Sequence, residues 1–190
     1  MKTKLAMLTL AISFAFASNA MALTKPEYKT QKDRVEADYK ASKKKCGSLT
    51  ANAKDICQAE AKGAEKVAKA ELEAQYKPNP RHDKKIRDAK ADSAYNIAKE
   101  KCDDMAGNTK DVCVKDAKAA RTSAKADAKV SKVSADANKD KAGAMASAKK
   151  DAAADKNDAQ YKAAKERCDV MSGNAKDACQ NDAKAKFGMK

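Results

Sequence analysis

The chain has 190 residues, with 41 basic and 27 acidic side chains, six cysteines, one histidine and no tryptophan. Beyond residue 22 only 14 of 168 residues are Leu, Ile, Val or Phe, far below the roughly 20% under which disorder becomes the default expectation. A large globular core is therefore excluded, and extended helices or disorder remain, in a chain whose dominant residues, Ala and Lys, are strong helix formers.

The N-terminus reads "MKTKLAMLTLAISFAFASNAMA". Lys2 and Lys4 precede an apolar run from Leu5 to Ala17, and Ala20-Met21-Ala22 fits the small-x-small cleavage pattern of a secretory signal. The run is shorter than the roughly 20 apolar residues of a membrane span. A cleaved signal over 1–22 is expected, leaving no transmembrane anchor in the mature chain and a net charge of +12. The expected location is periplasmic or secreted.

Three copies of one unit follow. They are "YKASKKKCGSLTANAKDICQAEAKG" from Tyr39, "YNIAKEKCDDMAGNTKDVCVKDAKA" from Tyr95 and "YKAAKERCDVMSGNAKDACQNDAKA" from Tyr161. The register is gapless. Tyr stands seven before the first cysteine and Lys three before it. An apolar residue (Leu49, Met105, Met171) stands three after, and Asn (Asn52, Asn108, Asn174) six after. Lys-Asp follows, and the second cysteine comes eleven after the first. Self-similarity at so many positions marks a structural repeat.

Each unit reads as an antiparallel helical hairpin. Gly107-Asn108 and Gly173-Asn174 supply a left-handed stop. The first unit has Ala51 there instead, which predicts an earlier end for its first helix. The Asn is expected to cap the returning helix. Lys43, Lys99 and Lys165 lie as far from the pivot as Glu60, Asp116 and Asp182, so that these pairs could bridge the helices. Alanine forms the seam, with Ala91, Ala94, Ala98, Cys102 and Met105 on one face in the second unit. Acid-first spacings at Glu36–Lys40, Glu65–Lys69, Asp111–Lys115 and Asp158–Lys162 support exposed helix.

The expected fold is all-α: three disulfide-clipped antiparallel helical hairpins joined by a Pro break and a long exposed helix or linker. In chain order it comprises the signal (1–22), a first unit (23–77), the Pro break (78–80) and a second unit (81–130). An exposed helix or linker (131–157) and a third unit (158–190) complete it.

Export to an oxidising compartment favours disulfides. The repeat makes Cys46–Cys57, Cys102–Cys113 and Cys168–Cys179 the most economical of the 15 connectivities. Metal binding is the rival reading, but zinc thiolates favour spacings of two to four residues, commonly with histidine. The sole histidine, His82, lies beside the Pro78-Asn79-Pro80 break. No nucleophile–histidine pair, phosphate loop or metalloprotease motif occurs. Neither catalysis nor a cofactor is expected, and no metal site.

The charge points to polyanions. Anionic envelope polymers or lipid surfaces are the expected partners, nucleic acid is not, and the oligomeric state stays open. Lys43-Lys44-Lys45 is the one run of three, and Tyr39, Tyr95 and Tyr161 could stack on a ligand. The simpler reading packs those tyrosines along the hairpin groove.

The leading function is that of a non-catalytic structural or binding protein of the cell envelope. Alternatives are a stress-protective or chaperone-like helical protein and a metal-sequestering thiol protein. The Ala/Lys/Asp-rich stretch over about 115–160, in a signal-bearing chain, resembles in composition the helical middle domain of TolA-like cell-envelope proteins. Those proteins have an uncleaved N-terminal anchor and a terminal globular domain, and their force-transducing role is not carried over. The composition also resembles late-embryogenesis-abundant stress proteins, against which the three cysteine-clipped units argue.

Overall fold

The computed structural model describes residues 22–136 and 141–189, and the signal sequence expected over 1–22 lies outside them but for Ala22. The described residues form six α-helices and one short 3-10 turn, with no strand among them. The helices are α1 (Lys25–Cys46), α2 (Ala51–Tyr76), α3 (Pro80–Cys102), α4 (Gly107–Ala135), α5 (Lys141–Arg167) and α6 (Gly173–Phe187). The all-helical class expected from composition is what forms. None of these helices is long and apolar enough to cross a membrane.

Local chemistry sets the helix starts. Thr24 and Glu27 form a reciprocal capping box at α1, with Pro26 in the first turn. Asn79 caps α3 by accepting the Arg81 amide, and Pro80 opens that helix. Residues 77–79 separate α2 from α3.

Each helix packs chiefly on its neighbours in the chain, α1 on α2 and so on to α6. Between α1 and α2, Cys46–Cys57 joins one end, while the Leu23 amide donates to the Gln75 carbonyl at the other. At that second end the Tyr28 and Tyr76 rings stack with centroids 4.3 Å apart. Along α2 and α3 the ties run in opposite sequence directions: Glu73 to Lys85, Glu71 to Lys90, Asn52 to the Glu100 carbonyl. The same holds from α4 to α5, through Lys129–Asp151, Asp127–Lys156 and Asp116–Arg167.

The core is thin and made of small residues. Ala61, Ala91, Ala126, Ala128, Ala148, Ala152, Ala163 and Ala183 are buried, with Val35 and Leu72 as the larger members. The largest fully buried side chains are Cys46, Cys102 and Cys168. An alanine contributes much less burial energy than a leucine at about 25 cal/mol per Å2, so the covalent ties carry weight that a larger core would otherwise supply. Small seams also permit close approach. A Cβ added at Gly63 would stand 1.9 Å from Ser93 Oγ.

Several expectations are corrected. No single exposed helix or linker spans 131–157: α4 ends at Ala135 and α5 begins at Lys141. The two pack together, burying Ala148 and Ala152 of α5. The fully buried residues of the two helices are all alanines, which leave little hydrophobic pattern to read. The first unit's helix does not end early, since α1 stops at its cysteine as α3 does. Ala51 instead adopts φ 50°, the conformation that Gly107 and Gly173 adopt at φ 56°. Met105 and Ala94 leave the seam and are exposed.

Candidate functional site

The six cysteines form three disulfides, Cys46–Cys57, Cys102–Cys113 and Cys168–Cys179, with Cα–Cα distances of 5.5, 5.7 and 5.7 Å. These separations are ordinary for the bond. No cysteine among them is free. Bonds of this kind belong to an oxidising compartment.

The three disulfide-bearing turns lie along one edge of the array. The repeated asparagines chain them together. Asn52 Nδ2 donates to the Glu100 carbonyl at 2.6 Å, and Asn108 Nδ2 donates to the Glu166 carbonyl at 3.0 Å. Both acceptors stand two residues before the next unit's first cysteine. The expected capping of the returning helix is therefore corrected: α2, α4 and α6 have no side-chain cap, and in α2 and α4 the Asn amide reaches across to the following unit instead. The expected Lys–acid bridge is replaced as well. Among the described residues Asp116 pairs with Arg167, and Lys99 approaches Glu100.

The first turn differs electrostatically from the other two. In the second, Lys110 pairs with Asp103 at 2.8 Å, and in the third Lys176 pairs with Asp169 at 2.9 Å. The hydrogen bond from Lys110 holds the Asp103 carboxyl below its usual range, and the same bond raises Lys110. The residue matching those aspartates in the first unit is Gly47, so Lys54 has no such acid. Lys43, Lys44, Lys45 and Lys54 are all exposed around it. This makes the first turn the most strongly basic point on the edge.

Lys43 continues into an open cleft of about 490 Å3 between α1, α2 and α3. Tyr39 forms one wall, and Lys43, Lys62 and Lys99 bring cations to it beside Asp55 and Glu100. The repeat explains why the cleft is open here. In the second unit the residue matching Ala59 is Lys115, which reaches across to Glu166 at 3.2 Å. The residue matching Glu65 is Arg121, which lies 5.1 Å from the centre of the Tyr95 ring. Ala59 is too short to fill the equivalent space, and Glu65 pairs with Lys69 along its own helix.

The repeated tyrosines thus divide. All three are half-buried; Tyr39 lines the cleft, and Tyr95 lies under Arg121. The repeated apolar residues at the turns have no functional role in the sequence reading. Leu49, Met105 and Met171 are each at least 40% exposed, one on each turn of the same edge. Their shared spacing from the first cysteine was the available signal.

Small-seamed helices tied by disulfides, with one basic corner and an adjoining cleft, make up an all-α array. No known protein family, curated protein or solved structure matches the chain.

Proposed function

We propose that this is an exported, non-catalytic binding protein of the cell envelope, built from three disulfide-clipped antiparallel helical hairpins, that holds anionic surface polymers at its first unit. The observation that carries this reading is the concentration of Lys43, Lys44, Lys45 and Lys54 at a turn without the aspartate that neutralises the others. A polymer crossing that corner would continue into the cleft, where Lys62 and Lys99 meet further anionic groups and Tyr39 offers a flat face. The disulfides and the N-terminal sequence support export.

Titration with a polyphosphate or teichoic-type polymer at several salt concentrations tests the reading. Binding should weaken linearly in log–log form as salt rises, and replacing Lys43, Lys44 and Lys45 with Gln should lower the slope by up to about 3. Binding insensitive to salt, or unchanged in the triple variant, sinks the proposal.

A second reading is favoured by the exposed Leu49, Met105 and Met171 along the edge that carries the basic corner: contact with an anionic lipid surface, where apolar side chains dip below the headgroups. Vesicles of phosphatidylglycerol discriminate. Loss of vesicle binding in the Leu49→Ser/Met105→Ser/Met171→Ser variant, with polymer binding kept, selects the lipid.

A further inference from the structure

Three units are described, and the seam that joins one unit to the next is left open on the third. The second helix of each unit presents one stripe to the next unit. In α2 it comprises Asn52, Ile56, Ala59 and Gly63, all buried or half-buried, with Gly63 hard against Ser93 of α3. In α4 the same positions are Asn108, Val112, Lys115 and Ala119, all half-buried beside α5. In α6 they are Asn174, Ala178, Asn181 and Ala185, and all four are exposed.

The complementary stripe lies on the first helix of each unit. Ser93, Ile97 and Glu100 of α3 are half-buried, and in α5 Ala159, Ala163 and Glu166 are buried or half-buried. On α1 the matching residues are Ala37, Ala41 and Lys44, all exposed. Among the described residues the array thus presents two exposed faces, at positions that match the two halves of its internal seam.

We propose that α6 of one copy docks on α1 of a second copy, so that the chain associates head to tail through the seam that already joins its own units. Two details carry the occupant. The Asn staple has its donor at Asn174 and its acceptor at the Lys44 carbonyl, which like the Glu100 carbonyl accepts one amide from three residues ahead and keeps a lone pair. The charge pair is also kept. Asp116 meets Arg167 inside the chain, and the residues at those positions on the free ends are Asp182 and Lys45, opposite in sign. Each free face carries two alanines among polar residues, Ala178 and Ala185 on α6 and Ala37 and Ala41 on α1, which permits close approach and leaves no large apolar patch that a lone copy would need to hide. Such a contact is heterologous, so it generates rings or open filaments rather than a closed dimer.

The test blocks each end separately. Protein recovered from an exporting host, free of polyanion and reductant and with its N-terminus fixed by mass, is examined by sedimentation velocity over a concentration series. The wild-type weight-average mass should rise with concentration through multiples of one chain. Ala178→Arg, which blocks the α6 end, and Ala37→Arg, which blocks the α1 end, should each remain at the mass of a single chain. Mixed in equal amounts they should form dimers and nothing larger. Both positions are exposed, and arginine is a good helix former. Should either variant lose its helical signal, Ala185→Arg or Ala41→Arg takes its place. A wild-type mass fixed at one chain overturns the proposal, as does assembly that persists in either capped variant or a mixture that grows past the dimer.

Discussion

The side-chain amide of Asn108 donates to the backbone carbonyl of Glu166, 58 residues away in the chain. Asn52 makes the same bond to Glu100 across 48 residues. One turn residue thus supplies a side-chain donor to a carbonyl in the last turn of a helix of the next unit. It sets the stacking of one disulfide-bearing turn on the next and so aligns the whole edge that carries the basic corner.

Removing that bond should loosen the stack. Asn108→Ala is expected to cost about 1 kcal/mol, the net worth of a typical internal hydrogen bond, and Asn52→Ala a similar amount. Asn174 is exposed on the last unit, so Asn174→Ala should leave the stability of the single chain unchanged. Urea unfolding of the three variants at low concentration measures this ordering.

Gly63 and Gly143 should respond in opposite directions to the same substitution. At Gly143 nothing lies within 4 Å of an added Cβ, so Gly143→Ala should stabilise by up to about 1 kcal/mol through helix propensity. At Gly63 the new Cβ meets Ser93 Oγ at 1.9 Å and Ser93 Cβ at 2.9 Å. Moving the hydroxyl alone does not relieve the second contact. Overpacking costs about 1–3 kcal/mol, which outweighs the propensity gain, so Gly63→Ala should destabilise by up to about 2 kcal/mol. Adding Ser93→Gly moves the missing Cβ to the opposite helix and should recover most of the loss in thermal melts.

Ala51 holds φ 50° where its counterparts are glycines. The left-handed conformation costs a residue with a Cβ roughly 1–2 kcal/mol. Ala51→Gly should therefore stabilise by about 1 kcal/mol, while Gly107→Ala and Gly173→Ala should destabilise by a similar amount. Denaturant midpoints of the three variants, compared at constant slope, give the test. A destabilised Ala51→Gly would show that the strain is relieved elsewhere in the turn.

These residues mark the limit of what the sequence makes legible. The three units, their cysteine pairs and the all-helical class follow from register and composition, because Tyr, Cys, Asn and Lys-Asp recur at fixed spacing. Which neighbour covers a given helix face does not follow. Helical periodicity groups Asn52 with Ile56 and Ala59, yet it is blind to whether the helix before or the helix after lies against them. In α4 and α5 both faces are rich in alanine, so the packing of residues 141–157 leaves no contrast to read. The cleft depends on a difference between copies, Ala59 against Lys115, and acquires meaning only once Lys115 is seen to reach Glu166.

Asp92 gives the fold a defined acid sensitivity. Burial raises its carboxyl, but the hydrogen bonds from Lys125 and Arg121 together outweigh that and hold it below its ordinary value near 3.8. A folded value below the unfolded one contributes stability that is fully present above the unfolded value and disappears as pH falls through the folded one. The contribution should be constant from pH 7 down to about 5 and fade below pH 4. Asp92→Asn should cost about 0.5–1 kcal/mol at pH 7, as in a partly screened ion pair, and the wild-type and variant curves should converge in acid. Thermal melts from pH 2 to 7 record that convergence, and parallel curves would assign the loss to shape alone.

Restoring the lysine that the first unit lacks should close the cleft. Ala59→Lys places at α2 the residue that pairs with Glu166 from α4, and its counterpart acceptor is Glu100. An ammonium drawn to Glu100 would occupy the space between Tyr39 and Asn96. It also adds a positive charge, and therein lies the discrimination. If binding of a polyanion depends only on net charge, Ala59→Lys should strengthen it. If the polymer enters the cleft, the variant should bind several-fold more weakly despite its extra charge, while Lys43, Lys44 and Lys45 keep their share of the salt dependence. Affinity measured at two salt concentrations separates these outcomes, because displacement from the cleft persists when the ions are screened whereas attraction by net charge does not.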